Sequence, residues 1–424
     1  MIELYTKDQI KKVYFEIKTK KYLDRQKKLP IGLDGVTTDI FERNLEFSIN
    51  EIHRKLLSHD GIIHYHFGPL LRIERTKSEG GLRLLHIPRL RDQIVFRLIH
   101  DEIQHLSHVK GLDLKLKSPY SFVTRFDDYI ANIETPVILK TDISKFYDSI
   151  PRDRAISLCT DIHLRPEIMQ LLFKWSEDLS IKQTNFNLQV NNESTAGLPQ
   201  GLSISSLLAE FYAKQIDYDF THHTGYFRYI DDLVFICQHL NEAKDILAQL
   251  KNKTTQLGLE LSPTKTEIVD FSRGIQWLGL FHYPHGKYMH PEKLIRAVKP
   301  IQSIQKHCLL QLDNTRTDTE KTDLIRDCIK KIDTFTSGTR NVRLKWYSLC
   351  VNQGQWKLMD KQIHGLIRSC IRKARLNESL FPSLPSIHAK VMSYKLQEKS
   401  QYLPMKGNAP TVVKQIKPIK GVQR

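Results

Sequence analysis

The stretch Tyr226-Phe-Arg-Tyr-Ile-Asp-Asp-Leu-Val-Phe-Ile-Cys237 decides the fold. Two apolar, β-branched and aromatic runs flank a polar break at Asp231-Asp232, the pattern of two strands joined by a tight turn. Asp-Asp is not the preferred pair for such a turn, so turn chemistry alone does not account for it. Upstream, Pro136-Val-Ile-Leu-Lys-Thr-Asp142 reads as a short buried strand ending in an acid. Antiparallel packing of these three strands brings Asp142, Asp231 and Asp232 together.

Acids at strand ends and turn tips are common, and an isolated Asp-Asp pair is more often a solvated turn than a site. Here the pair is framed by apolar strands in a chain of 64 Lys plus Arg against 47 Asp plus Glu, a net charge of +17. That excess favours a polyanionic partner, because each phosphate neutralised releases condensed counterions. A merely basic protein fits the charge sum equally well, and no long basic amphipathic helix supports an anionic membrane surface. Apolar residues at 40% and charged residues at 26% give a globular balance rather than a disordered one. The 424 residues suffice for two or three packed subdomains.

Three acids from separate segments suit a particular chemistry. In-line attack of a 3′-hydroxyl on an α-phosphate is served by two divalent ions about 3.5–4 Å apart, which activate the attacking oxygen and neutralise the leaving pyrophosphate. Mg2+ takes hard oxygen ligands and only one or two carboxylates, with substrate phosphates completing its shell. A strand-end acid beside a hairpin-tip pair fixes those carboxylates more rigidly than loops do.

Elsewhere, Leu70 to Pro88 alternates apolar and basic residues around Gly80-Gly81, a β-hairpin carrying Arg72, Arg75, Lys77 and Arg83. Arg91 to Leu106 has a helical period. A helix is expected from Pro151, a polar hairpin or loop over 181–195, and a helix capped by Ser203. Asn241 to Leu257 reads as a helix closed by Gly258, with strand-like runs at Glu267–Phe271 and Trp277–Tyr283. From Pro291 the chain is helical and basic, and Pro404–Arg424 reads as a flexible tail. The six cysteines (Cys159, Cys237, Cys308, Cys328, Cys350, Cys370) form no C-x-x-C pair, so neither a zinc knuckle nor a disulfide framework is expected. With no signal-peptide layout and no run of about 20 apolar residues, the expected location is cytoplasmic, with no membrane partner.

Tyr229-Ile-Asp-Asp232 resembles the Y-x-D-D signature of reverse transcriptases, and Asp142-Ile-Ser-Lys-Phe-Tyr-Asp-Ser-Ile150 is similar to their first acidic motif. Gly197-Leu-Pro-Gln-Gly201 resembles their intervening motif, and Lys77-x-x-Gly-Gly-x-Arg83 with Ile87-Pro88 the fingers segment of bacterial and intron-encoded enzymes. Leu259-x-Leu-Ser-x-Thr-Lys265-Thr-Glu is similar to the later lysine motif, Trp277-Leu-Gly279 to the primer-grip turn, and Asp34-Gly-Val-Thr37 to an N-terminal motif of intron and retron enzymes. The resemblance covers roughly residues 30 to 285, and its strength lies in the order of the motifs.

The resemblance implies an α+β, right-hand polymerase fold with fingers, palm and helical thumb. The corresponding domains are 1–135 for fingers and N-terminal region, 136–285 for the palm with a fingers insertion, 286–403 for the thumb, and 404–424 for a basic tail. It implies an RNA-directed DNA polymerase using two Mg2+ ions, with Mn2+ as a substitute, an RNA template, dNTPs and a DNA product. Asp142, Asp231 and Asp232 would hold the metals with the Ile143 carbonyl. Lys77 and Arg83 would hold the triphosphate, and Gln200 would line the nucleotide pocket, with Gly197 and Gly201 allowing close backbone approach to template or substrate. Tyr147, five positions after Asp142, stands where the family carries an aromatic gate against a 2′-hydroxyl, with Phe146 free to serve the core. Lys265 would be either the acid for pyrophosphate or a phosphate contact.

Arg72, Arg75, Arg89 and Arg91 read as a solvated basic face or a template contact. Thumb bases such as Arg340, Arg343, Lys345, Arg368, Arg372, Lys373 and Arg375 could track a duplex, while Trp346, Tyr347 and Trp356 read as core. Size and missing motifs point away from retroviral, intron-maturase and retron types. The expected subtype resembles stand-alone defence-associated enzymes that copy a dedicated non-coding RNA during phage infection. The alternatives are a retron or intron-type reverse transcriptase, template-independent or protein-primed DNA synthesis, and a non-catalytic RNA-binding scaffold.

Overall fold

The computed structural model describes residues 2–23, 31–76, 82–112, 114, 118–183, 197–337, 353–387 and 389–391. Lys77, the Gly80-Gly81 turn, positions 184–195 of the hairpin or loop expected over 181–195, Arg340, Arg343, Lys345, Trp346, Tyr347, Cys350 and the tail fall outside these residues.

A four-stranded antiparallel sheet forms the centre, in the order Glu267–Asp270, Val137–Asp142, Asp232–Cys237, Tyr226–Tyr229. The run Leu233 to Cys237 is buried at every position, so both faces of this strand are covered and its side chains are continuously apolar. Helix Leu240–Gln256 packs on this strand and on Val137–Asp142. The helix ends at Leu257 with Gly258 next to it at a φ of 70°, where a left-handed residue closes the last turn.

The expected hairpin is present as Leu70–Thr76 paired antiparallel with Leu82–Ile87. Ile181–Gln183, expected in a hairpin or loop, instead adds to Leu70–Thr76 as a parallel strand. Helix Leu90–Val109 follows and buries Ile94, Val95, Leu98, Ile99 and Ile103. It packs against helix Ser203–Phe220, whose Ile204, Leu207, Leu208, Phe211 and Ile216 are buried. Ser203 is the first helical residue rather than the cap. Leu202 holds the cap position in an extended conformation; its side chain is buried and has no atom that could cap the helix. Pro151 likewise precedes its helix, which begins at Arg152.

Asp34-Gly-Val-Thr37 has a local structural job. Asp34 Oδ1 accepts from the Val36 amide at 3.3 Å, Gly35 takes a φ of 67°, and the Thr37 hydroxyl caps helix Thr38–Arg43.

The packing divides between Phe271 and Ser272. The run Trp277–Tyr283 is two strands, Ile275–Trp277 and Leu280–Tyr283, turned at Leu278-Gly279, both at positive φ. With Gly286–Met289 they form a meander that belongs by its contacts to the C-terminal unit, where Gln355 bonds both the amide and the carbonyl of Met289. Helices Pro291–Leu312, Asp318–Ser337 and Gln353–Ala374 complete this unit, with Trp356 in its core. All five described cysteines are buried.

Candidate active site

Strand register sets the acids. Asp142, the last residue of its strand, pairs directly with Asp232, which also pairs with Tyr229 across the hairpin. Asp231 occupies the turn, where its carbonyl accepts from the Ile143 amide at 3.0 Å. The Asp142 carbonyl accepts from Ser262 at 2.7 Å, and Ser144 donates to Glu260 at 2.8 Å, tying the segment before Lys265 to the same strand end. Lys265 then reaches back, its Nζ donating to Asp142 Oδ2 at 2.8 Å. Four of the residues singled out in the sequence thus converge: Asp142, Asp231, Asp232 and Lys265.

The electrostatics fit a cation site. Burial pushes the Asp231 carboxyl upward, and Asp142 adds to this. Burial pushes Asp232 up to about 6, with Asp231 and Asp142 adding and Lys140 opposing. Burial would lower the Lys265 ammonium, but its bond to Asp142 and the charge of the three acids raise it. The donors are hard carboxylate oxygens, the set a Mg2+-class ion takes.

The turn is held by a group that sequence reading missed. Ile230 sits at a φ of 62°, a left-handed conformation rarely adopted by a β-branched residue. Its carbonyl accepts from Arg228 Nη1 at 3.0 Å. The buried Arg228 guanidinium also makes two bonds to Asp217 and two to Glu210, all between 2.7 and 2.9 Å. Both acids come from helix Ser203–Phe220, so the helix is clamped to the turn. An Arg inside an apolar strand next to the acids was the available signal.

The Gly197–Gly201 loop bonds both the segment after Asp142 and the Leu82–Ile87 strand. Leu198 donates to the Tyr147 carbonyl at 2.8 Å, and the Gln200 carbonyl accepts from the His86 amide at 2.7 Å. The expected close approach of the two glycines is real but is made to this chain itself. A Cβ at Gly197 would lie 2.4 Å from the Asp148 backbone, and one at Gly201, where φ is 114°, would lie 2.6 Å from the His86 carbonyl.

Phe146 is buried and Tyr147 is half-buried. Lys145 at a φ of 46° makes the turn that separates them from Asp142. Burial, with Asp231 and Glu210 next, pushes the Tyr147 hydroxyl up to about 12, and Arg83 opposes this. Arg83 is exposed on its hairpin strand, and its charge also acts on Asp231. Of the other bases, Arg91 is engaged within the chain, 3.6 Å from Asp92 and over the Tyr65 ring at 5.9 Å.

Two half-buried acids paired across neighbouring strands, with a third at the adjoining turn, make a donor set of the kind that two-metal phosphoryl chemistry uses. Residues 75–281 match the family model for reverse transcriptase (RNA-dependent DNA polymerase). The putative COX1/OXI3 intron 2 protein of Saccharomyces cerevisiae is 24% identical over 212 residues, covering 48% of this chain and 22% of that protein. Protein YkfC of Escherichia coli K12 is 24% identical over 194 residues, 44% of this chain and 49% of that one. The chain therefore spans half or less of the length of these relatives. Among solved structures, apo telomerase from Candida tropicalis aligns with a TM-score of 0.47 at 12% identity, over 87% of this chain and 71% of that one. Telomerase from Candida albicans, solved with a telomeric RNA fragment, aligns at 0.42 and 11%, over 87% and 69%. Enzymes of this family use divalent metal ions. Among the described residues, no helix is long and apolar enough to cross a membrane.

Proposed function

We propose that the chain is an RNA-directed DNA polymerase that extends a primer 3′-hydroxyl with dNTPs. The observation that carries this is Asp142 paired across the sheet with Asp232, with Asp231 at the adjoining turn, inside a reverse transcriptase domain. Asp142, Asp231 and Asp232, with the Ile143 carbonyl, would hold two Mg2+ ions, Mn2+ substituting. When bound, such ions lower the charge barrier to attack on the α-phosphate.

The chain's own residues supply the rest. Arg83, with Lys77, holds the triphosphate, as basic clamps do where charge develops on a transferring phosphoryl group. The Tyr147 ring excludes a 2′-hydroxyl, and Gln200 lines the nucleotide pocket beside it. Gly201 serves by letting the loop seat on His86. Lys265 shields Asp142 and is placed near the acids either to contact phosphate or to protonate pyrophosphate.

The narrower reading is a dedicated non-coding RNA template, cytoplasmic synthesis and a role in bacterial antiphage defence, supported by the sequence resemblance alone. The C-terminal helices are read as a thumb. Purified protein with its co-purifying RNA, labelled dNTPs and Mg2+ should incorporate label, and ribonuclease pretreatment should abolish it. Incorporation surviving ribonuclease would favour untemplated or protein-primed synthesis. Sequencing the co-purified RNA names the template, and loss of phage protection with Asp231→Asn tests the defence role.

A further inference from the structure

Three of the chain's six cysteines, scattered in sequence, meet at one point in the C-terminal unit. Cys308 lies on helix Pro291–Leu312, Cys328 on Asp318–Ser337 and Cys370 on Gln353–Ala374. Their sulfurs all lie within 4.8 Å of one another, and the three residues are 3%, 4% and 0% exposed. The surrounding core is aliphatic, with Ile325, Ile332, Ile367 and Ile371 all buried on the same helices.

Packing alone does not explain the cluster. A thiol is a weak donor and a weak acceptor, so three facing one another satisfy little, and Leu or Ile would fill a three-helix layer better. Thiolates, by contrast, are the ligands that select soft closed-shell ions. Zn–S bonds of about 2.3 Å put tetrahedral sulfurs roughly 3.8 Å apart, so the observed spacing closes on an ion with shifts of about 1 Å or less. Among the described residues no fourth His, Cys, Asp or Glu joins the group, an arrangement that three-coordinate Cu+ accepts and Zn2+ completes with a further donor. Lys373, one turn beyond Cys370, adds positive charge beside a trithiolate site.

We propose that Cys308, Cys328 and Cys370 form a binding site for a thiophilic ion of the Zn2+/Cu+ class that fastens the three helices together. The site is independent of the polymerase reading, because it lies wholly within the unit that begins at Ser272. Metal held this way contributes directly to folding stability.

The test uses the full chain, reduced and stripped of metal with a chelator, then titrated with Cd2+ as an optical probe and separately with Zn2+ and Cu+ against competing chelators. With excess Mg2+ present to fill the aspartate site, the expected results are a thiolate-to-cadmium charge-transfer band that saturates at one thiolate-bound ion per chain and a higher melting temperature. Single Cys→Ala changes at 308, 328 or 370 should weaken binding roughly 100-fold or more, since even outer-shell partners cost 10–100-fold. Cys159→Ala, buried outside the cluster, should bind as wild type. Competition and elemental analysis of the unstripped protein distinguish Zn2+ from Cu+. A reduced, folded wild type that gives no charge-transfer band and no rise in melting temperature overturns the proposal. So does unchanged binding in the three variants, and the wild-type titration decides even if a variant fails to fold.

Discussion

Asp142 and Asp232 stand directly opposite one another on neighbouring antiparallel strands. Like charges so placed destabilise a sheet unless something neutralises them, and Lys265 bonds only Asp142. The pairing therefore carries a stability cost while no cation is bound. Asp232→Asn should raise metal-free stability by roughly 0.5–1 kcal/mol. Mg2+ should stabilise the wild type and do little for the variant, and denaturant melts with and without Mg2+ measure both.

The buried Arg228 holds the left-handed Ile230 carbonyl and two half-buried acids at once. Arg228→Lys keeps the charge but loses the paired geometry. Breaking a buried ion pair costs about 3–5 kcal/mol, and a displacement of about 1 Å at reacting groups costs about 100-fold in rate. Primer extension at a temperature where the variant is still folded should show a fall in kcat of that order with KM for dNTP little changed. Wild-type kcat in a folded variant would count against the positioning role.

Tyr147 should discriminate by its ring and not by its hydroxyl, which stays protonated because burial pushes it up to about 12. Tyr147→Phe should keep the preference for dNTPs over NTPs. Tyr147→Ala should relax it by roughly 10–100-fold, the range expected when a steric contact in a pocket is removed. Competition between dNTP and NTP in single-nucleotide extension reads the ratio.

Gly201→Ala sets a Cβ against the His86 carbonyl in a backbone region closed to side chains. It should cost about 1–3 kcal/mol and reduce activity together with stability. Hydrogen exchange at the His86 amide, which donates to Gln200, reports whether the loop has come loose.

Burial by itself would raise the Asp217 carboxyl, but its bonds from Arg228 and Tyr226 hold it below its ordinary value. A folded pKa below the unfolded value of about 3.9 gives stability that is present above that pH and lost as pH falls through the folded value. Urea melts should therefore show stability falling from about pH 5 downward, with a shallower acid fall in Asp217→Asn.

The strands and acids were legible because alternating and continuous apolar runs carry their own period, and the motif order fixed their pairing. The Asp142–Asp232 register was not legible, since a strand's sequence does not state its partner's offset. Glu210 and Asp217 carry no signal of their own in the sequence, because only tertiary packing brings their helix to Arg228. The sequence does not show that a Cβ at Gly201 would meet this chain's own His86 carbonyl, because that contact is tertiary. Ile181–Gln183 is too short to show a strand period, and three cysteines on three helices show no spacing at all.

The most direct test of the account is primer extension by purified wild-type protein on an RNA template with dNTPs and Mg2+, set beside Asp231→Asn. Wild type should extend the primer, and the variant should fold and bind RNA but extend nothing. Equal extension by both, or none by a folded, RNA-bound wild type, would contradict the placement of catalysis at these three aspartates.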